Sequence, residues 1–232
     1  MVLAGLACAS AGRAQQSGGR TYPLDRFDAI EISGSATVRF TQGATEQVFV
    51  EGDDDDARAD GRFDVRGGRL RIHSAGAWKF WSARTGRIEV TARDLTRVAI
   101  SGAADFTAAG PLRAERLAVS ISGAGSARFE QLAAGALSFD VSGLGDAHAA
   151  GTARELKVSI AGRSELDAAE LRAEQASVSI SGIGDVRLWV VRELAVSVTG
   201  AGRIDYWGTP TVRRSVTGAA TLNDRGAKPA PR

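Results

Sequence analysis

Residues 117–129, LAVSISGAGSARF, decide the fold. An alternating apolar run enters a Ser-Gly-x-Gly turn and leaves it as a second alternating run. The phrase returns as DVSGLGDA (140–147), SIAGRSEL (159–166), SISGIGDV (179–186), SVTGAGRI (197–204) and SVTGAATL (215–222). Aligned on the central glycine, the copies fall at Gly34, Gly102, Gly123, Gly143, Gly162, Gly182, Gly200 and Gly218. From Gly102 onward the steps are 21, 20, 19, 20, 18 and 18 residues.

The columns of that alignment are more informative than any one copy. Two residues before each glycine stand Ile32, Ile100, Ile121, Val141, Ile160, Ile180, Val198 and Val216, all β-branched. Four before it are Ile30, Val98, Val119, Phe139, Val158, Val178, Val196 and the polar Arg214. Four after it are Val38, Phe106, Ala127, Ala147, Leu166, Val186, Ile204 and Leu222. Period-2 alternation carried through a turn is a strand signal. A fixed period near twenty residues means stacked units, each of which buries its apolar face only against a neighbour. The frame of a leucine-rich repeat is absent. The reading is therefore an all-β parallel β-helix, or β-solenoid, of about eight coils, with rungs ~4.8 Å apart.

The corner reads from the same columns. Glycine takes positive φ without a Cβ penalty, and that freedom is the expected reason for the eight structural glycines. Two residues after each stand only Ala, Gly or Ser: Ala36, Ala104, Gly125, Gly145, Ser164, Gly184, Gly202 and Ala220. Just before the glycine a hydroxyl recurs at Ser33, Ser101, Ser122, Ser142, Ser181, Thr199 and Thr217, placed to bond a neighbouring backbone group.

The chain has 232 residues, 44% hydrophobic and 24% charged, with 28 glycines, 5 prolines and a net charge of +2. That length buries a sizeable core. Scattered charge of both signs, without a basic block, gives no support to nucleic acid as a partner. Residues 1–14 read as a signal peptide cleaved near Ala14, too short for a permanent transmembrane anchor, so the protein is expected in the periplasm or at the cell surface. Lipid attachment at Cys8, the single cysteine, is the rival reading. The expected domain runs over 22–225, with a non-repeating strand and hairpin insert at 35–95, regular coils at 96–222 and a disordered tail at 226–232. In the insert, FDVRGGRLRI (63–72) reads as a hairpin turning at Gly67-Gly68. The insert is expected to cover one end of the rod, since open ends expose unpaired strand edges. The polar Arg213-Arg214 marks a terminal coil at the other end.

FDAIEISGSATVRFTQG (27–43), VFVEGD (48–53), GGRLRI (67–72), the serial SGxGD turns and RIDYWGTPTV (203–212) together resemble the auto-transporter adhesin head GIN domain family of exported bacterial proteins. The resemblance spans about residues 24–224 and implies a parallel β-helix with an adhesin-like role.

Candidate chemistry is sparse. His73 and His148 are the only histidines, without a Ser/His/Asp order, HExxH or CxxC. Three after the central glycine stand Asp105, Asp146, Glu165 and Asp185, expected to share one column. They read as solvated turn carboxylates neutralised by nearby Arg163, Arg187 and Arg203, or as an ion or sugar site; glycoside hydrolysis needs two carboxyls at a defined separation. The run Asp53–Asp56 lacks the spacing of a calcium loop. Trp78, Phe80 and Trp81 cluster in one loop, either to stack on sugars or to plug the rod's apolar end. Trp189, Tyr206 and Trp207 form a second set, assigned to packing. No cofactor or metal is implied, and self-association is open. The functional reading is a non-catalytic, adhesin-like or scaffolding protein that binds a glycan or an envelope protein. The alternatives are a carbohydrate-active β-helix enzyme and an envelope regulatory binding protein.

Overall fold

The computed structural model describes residues 19–51, 63–73 and 87–228. The expected signal peptide with Cys8, the Asp53–Asp56 run, the Trp78, Phe80 and Trp81 cluster and residues 229–232 lie outside the described residues.

Every regular element among the described residues is a strand. The repeats form β9 (Asp105–Ile121), β10 (Ser126–Val141), β11 (Leu144–Ile160), β12 (Arg163–Ile180), β13 (Ile183–Trp207) and β14 (Thr211–Asp224), each parallel to the next. Each bends at the corners and continues as a strand, so one element spans most of a coil. Val141 lies in register with Ile121 on one side and Ile160 on the other. Those three side chains are almost fully buried, as are Ile32, Ile100, Ile180 and Val198 in the same column. The aliphatic column is therefore the dry spine of a β-solenoid. Bulk is shared between adjacent inward columns: Phe106 sits beside Ala108 on its strand, and on the next rung Ala127 sits beside Phe129. Phe106 and Phe129 meet at 5.6 Å between ring centres, so each ring fills the space left by an alanine.

All eight corner glycines stack, but unbroken full turns run only between Gly102 and Gly218. The solenoid has about six turns, not eight. The difference arises at the N-terminal end, where the chain does not wind in sequence order. β2 (Ala29–Ser33) and β3 (Thr37–Gln42) form a rung around Gly34 that pairs in parallel with β8 (Arg97–Ile100) and β9. On the opposite side of that rung lie β6 (Arg69–His73), parallel to β2, and β7 (Arg87–Ala92), parallel to β3. β6 and β7 of the expected insert thus supply strands of a rung outside the first one. The chain then passes back over the Gly34 rung to start the regular coils. β4 (Gln47–Glu51), β1 (Gly19–Pro23) and β5 (Phe63–Arg66) finish that end with antiparallel pairing, β4 on β7, β1 on β4 and β5 on β6. The β5–β6 hairpin turns at Gly67 and Gly68 with φ of 57° and 74°, the doubly positive geometry that its sequence demands.

Where the chain leaves the Gly34 rung, the Gln42 side chain takes over its backbone bonding. Its amide nitrogen donates to the carbonyls of Arg93 (2.9 Å) and Arg113 (3.0 Å), and its oxygen accepts from the Arg113 amide (2.8 Å). One side-chain amide thereby bridges rungs on either side of the gap, which matters because unpaired buried backbone groups are costly.

The reason for the corner glycines differs from the expected one. Of the eight, only Gly34 (φ 94°) and Gly218 (φ 138°) have positive φ. At the other six the constraint is space: a Cβ on Gly123 would lie 2.1 Å from the Gly102 carbonyl oxygen, and one on Gly162 would lie 2.0 Å from that of Gly143. The rungs approach backbone to backbone here, tied by bonds such as Leu144 N to Gly123 O (3.0 Å) and Arg163 N to Gly143 O (3.1 Å). The preceding serines cap the corner as expected: the hydroxyls of Ser101, Ser122 and Ser181 donate to Ile32, Ile100 and Ile160 one rung back, at 3.3–3.4 Å.

Two stability outcomes follow from the corner. Gly143→Ala forces neighbouring backbones apart and is expected to cost about 2 kcal/mol or more, as overpacking does. Gly110→Ala, where nothing lies within 4 Å of the added methyl, should stay within about 0.5 kcal/mol. Ser164 is buried, and its hydroxyl has no hydrogen-bond partner among the described residues, in a column otherwise filled by Gly or Ala. Ser164→Ala should therefore raise stability by about 1 kcal/mol. Urea unfolding curves of the three variants check all of this.

Candidate functional site

Outward side chains form columns as regular as the core. Asp105, Ser126, Asp146, Glu165 and Asp185 are consecutive neighbours in one column, so a serine separates the first carboxylate from the next. The neighbouring outward column carries Thr107, Arg128, His148, Asp167 and Arg187. Like charges on adjacent rungs repel, and the structure shows how that is relieved. Arg187 reaches across both columns to Glu165 (2.6 Å) and Asp167 (3.0 Å). The Ser126 hydroxyl donates to Asp105 at 2.5 Å, and the Glu165 amide donates to Asp146 at 3.3 Å. Gly202 stacks against the Gly184 carbonyl, which sets Arg203 one rung on from Asp185. Among the described residues, no three His, Cys, Asp or Glu side chains gather as metal ligands do.

A different face is concave. A groove of about 630 Å³ runs along the rod across the strands from Thr96 to Ala195. Its floor is the column of Leu117, Leu137, Leu156 and Ala176, and its banks mix small, polar and charged side chains, among them Ser138, Glu155, Lys157 and Gln175. The bank positions were not singled out by the turn motif, because they lie midway between glycine corners.

Three groups far apart in sequence also meet at the N-terminal end. Ser33 Oγ lies 2.7 Å from His73 Nδ1, and His73 Nε2 lies 3.7 Å from Asp64 Oδ1. The trio falls short of a nucleophile–base–orienter chain. The last separation is beyond hydrogen-bonding distance, Asp64 is engaged by Arg66 at 2.8 Å, and the Ser33 hydroxyl lies 3.4 Å from the Ile72 carbonyl, the rung-capping position of its equivalents. His148 sits half-buried with Glu130 3.8 Å away.

The perturbed acid is elsewhere, at Asp205 on the last full coil. Burial pushes its carboxyl up. Hydrogen bonds from Asn223 (2.7 Å) and Arg225, with the charges of Arg225 and Arg203, outweigh burial and hold its pKa below the ordinary value. Next to it, burial, the charge of Asp224 and a hydrogen bond to that carboxylate raise the Tyr206 phenol.

Comparison with known proteins agrees with the geometry. The family model described as "Putative auto-transporter adhesin, head GIN domain" matches residues 26–210. No curated protein matches the sequence. The fold is similar to the crystal structure of a "putative adhesin" from Bacteroides fragilis, with a TM-score of 0.79, 21% identity and coverage of 91% of this chain and 98% of that one. A "putative adhesin" from Parabacteroides merdae gives a TM-score of 0.66 at 19% identity, over 89% of this chain and 95% of that one. A "putative lipid binding protein" from Parabacteroides distasonis gives 0.66 at 16%, over 89% and 96%. Among the described residues, no helix is long and apolar enough to cross a membrane.

Because the folded-state pKa of Asp205 lies below the 3.8 of an unperturbed aspartate, folding favours its ionised form. That contribution is complete above the unperturbed value and is lost as the pH falls through the folded-state pKa. Asp205→Asn should therefore unfold at lower urea concentration at neutral pH. It should also lose less stability than the unsubstituted protein between about pH 4 and pH 2. Parallel acid titrations followed by circular dichroism check the difference.

Proposed function

Since this chain belongs to the auto-transporter adhesin head GIN domain family, we propose that it is an exported, non-catalytic binding protein of the cell envelope, adhesin-like in role. The observation that carries the reading is the groove along the rod, with its apolar floor and its mixed polar and charged banks. Sites for small ligands are enclosed and few, whereas a shallow channel crossing several evenly spaced rungs offers contact points at the same spacing at each step, with side chains that differ from coil to coil. A linear chain with its own repeat, such as a glycan, takes advantage of that geometry. The carboxylate column of Asp105, Asp146, Glu165 and Asp185 adds a polar rim on another face, where Asp105, Asp146 and Glu165 are held by serine, backbone and arginine partners respectively. Side chains held in that way suit a rigid recognition surface better than proton transfer. Trp78, Phe80 and Trp81 are the remaining proposed contacts, as aromatic platforms for sugar rings.

The test is incubation of the purified protein with a panel of immobilised envelope and host-type polysaccharides, scored for retention and for new reducing ends. Retention on at least one polysaccharide without cleavage is expected. Lys157→Glu in the groove bank should weaken that retention at least about tenfold, the loss of one well-placed polar contact of about 1.4 kcal/mol. Trp78→Ala and Trp81→Ala variants that bind as before would remove the aromatic loop from the site. New reducing ends would replace the binding role with hydrolysis.

A further inference from the structure

The described polypeptide beyond β14 turns back along the last coils and fits closely against them. Residues 226–228, assigned from sequence to a disordered tail, are held in place. Gly208 donates to the Gly226 carbonyl (2.9 Å), and Arg225 donates to the Tyr206 carbonyl (2.9 Å). Gly226, at φ 78°, then directs the chain toward the side of the rod. There the Lys228 ammonium enters a cage. Its Nζ lies 5.6 Å from the ring centre of Trp189 and 5.3 Å from that of Trp207. It donates to the Ala169 carbonyl (2.8 Å) and to the Glu170 carboxylate (2.5 Å). Two indole faces, one carboxylate and one carbonyl thus converge on a single cation, and the lysine side chain is only 19% exposed.

The cage is built by the solenoid and not by the tail. Glu170 and Ala169 come from β12, Trp189 and Trp207 from β13. Trp207 is set above Trp189 by the rung spacing, since Gly208 stacks directly on the Val190 carbonyl. With Lys228 in place Trp189 is almost fully buried, so the cage is closed to water on that side. Aromatic faces within about 6 Å of a cation attract it through the ring quadrupole, and the attraction grows when the site is desolvated. The carbonyl and carboxylate add a demand that indoles alone do not make: the cation must carry N–H donors.

We propose that the Trp189–Trp207–Glu170 cage is a binding site for primary alkylammonium groups, occupied in the resting protein by Lys228 as an internal competitor. The site lies apart from the groove and does not depend on the adhesin-like reading. Gly226 is anchored to Gly208 and Asp224, two residues before Lys228, so the ammonium is tethered close to its cage. An external ammonium therefore competes with a tethered one. Its apparent affinity is reduced by the fraction of molecules in which the cage is open.

The probe is n-butylammonium chloride, at constant ionic strength with sodium chloride, followed by the indole N–H resonances of the ¹⁵N-labelled full chain. The Trp189 and Trp207 signals are assigned with Trp→Phe variants. In Lys228→Met those two signals should shift saturably, with half-saturation about tenfold lower than in the unsubstituted protein, the change that a cage open in about one molecule in ten would give. Tetramethylammonium, which has no N–H, should require several-fold more. Glu170→Gln added to Lys228→Met should weaken butylammonium binding. Nα-acetyl-lysine methylamide and O-phosphoethanolamine then distinguish a side-chain carrier from a headgroup carrier. Equal half-saturation with and without Lys228, a shift that does not saturate, or a preference for tetramethylammonium overturns the proposal. Should Lys228→Met lose its strand signal, the unsubstituted protein decides: its two cage indoles must still shift at high butylammonium and remain unmoved by sodium.

Discussion

Everything in this molecule depends on how closely one rung of backbone lies on the next at the corner. Rungs spaced ~4.8 Å apart leave room for side chains that point into the core or out to water, but not for one that points along the rod. At the corner the chain turns so that the α-position faces the previous rung's carbonyl, and a methyl group there would sit about 2 Å from that oxygen. Glycine is the one residue that removes the clash. Once it is fixed, the residues on either side are dictated in turn. The hydroxyl before it bonds the carbonyl one rung back. The small residue two places after it meets an isoleucine of the preceding rung, as Gly145 meets Ile121. The eight-residue phrase is the imprint of one steric constraint repeated along an axis.

The N-terminal end shows what the same constraint leaves free. A rung needs parallel neighbours in register, but not neighbours adjacent in sequence. β6 and β7 stack outside the Gly34 rung although they follow it in the chain, and the return crossing leaves a gap where a backbone segment would otherwise pass. Gln42 fills that gap because its amide carries the donor and acceptor pattern of a peptide group. Antiparallel strands then finish the end, which parallel coils do not do by themselves. At the opposite end, among the described residues, β14 pairs on one side only, and Val216 of the spine is 43% exposed. Arg214 replaces the usual aliphatic there, a polar substitution that fits a terminal rung.

Much of this was legible in the sequence, for a physical reason. Parallel in-register stacking turns spatial columns into sequence columns at fixed spacing, so the spine from Ile32 to Val198 is read by alignment alone. The hairpin at Gly67-Gly68 was legible because its turn demands a particular residue pair. What was not legible lacks periodicity. Gln42 acts once. Ser33, His73 and Asp64 meet because a hairpin folds back onto a rung, which spacing within the repeat does not encode. The groove lies midway between corners, where residue identity varies from coil to coil. Lys228 sits in a stretch whose composition reads as tail, and its order comes from one cage presented by distant strands. The glycine column itself was recognised for the wrong reason: a sequence shows that Cβ is forbidden, but not whether dihedral freedom or a neighbouring chain forbids it.

Stacking also sets the rules for charge. Any ionisable residue placed in an outward column is multiplied by its neighbours at a single rung's distance, where two like charges in water repel by roughly 1 kcal/mol. A solenoid that placed one acid in every coil would accumulate that cost along its whole length. Here the column interposes Ser126 after Asp105 and continues to Arg203 after Asp185, and Arg187 in the next column serves both Glu165 and Asp167. The result is a surface rich in charge yet close to neutral, consistent with the net +2 of the whole chain. Such a surface exerts little long-range pull on a charged polymer. On the proposed adhesin-like role, recognition then rests on short-range contact and not on long-range steering.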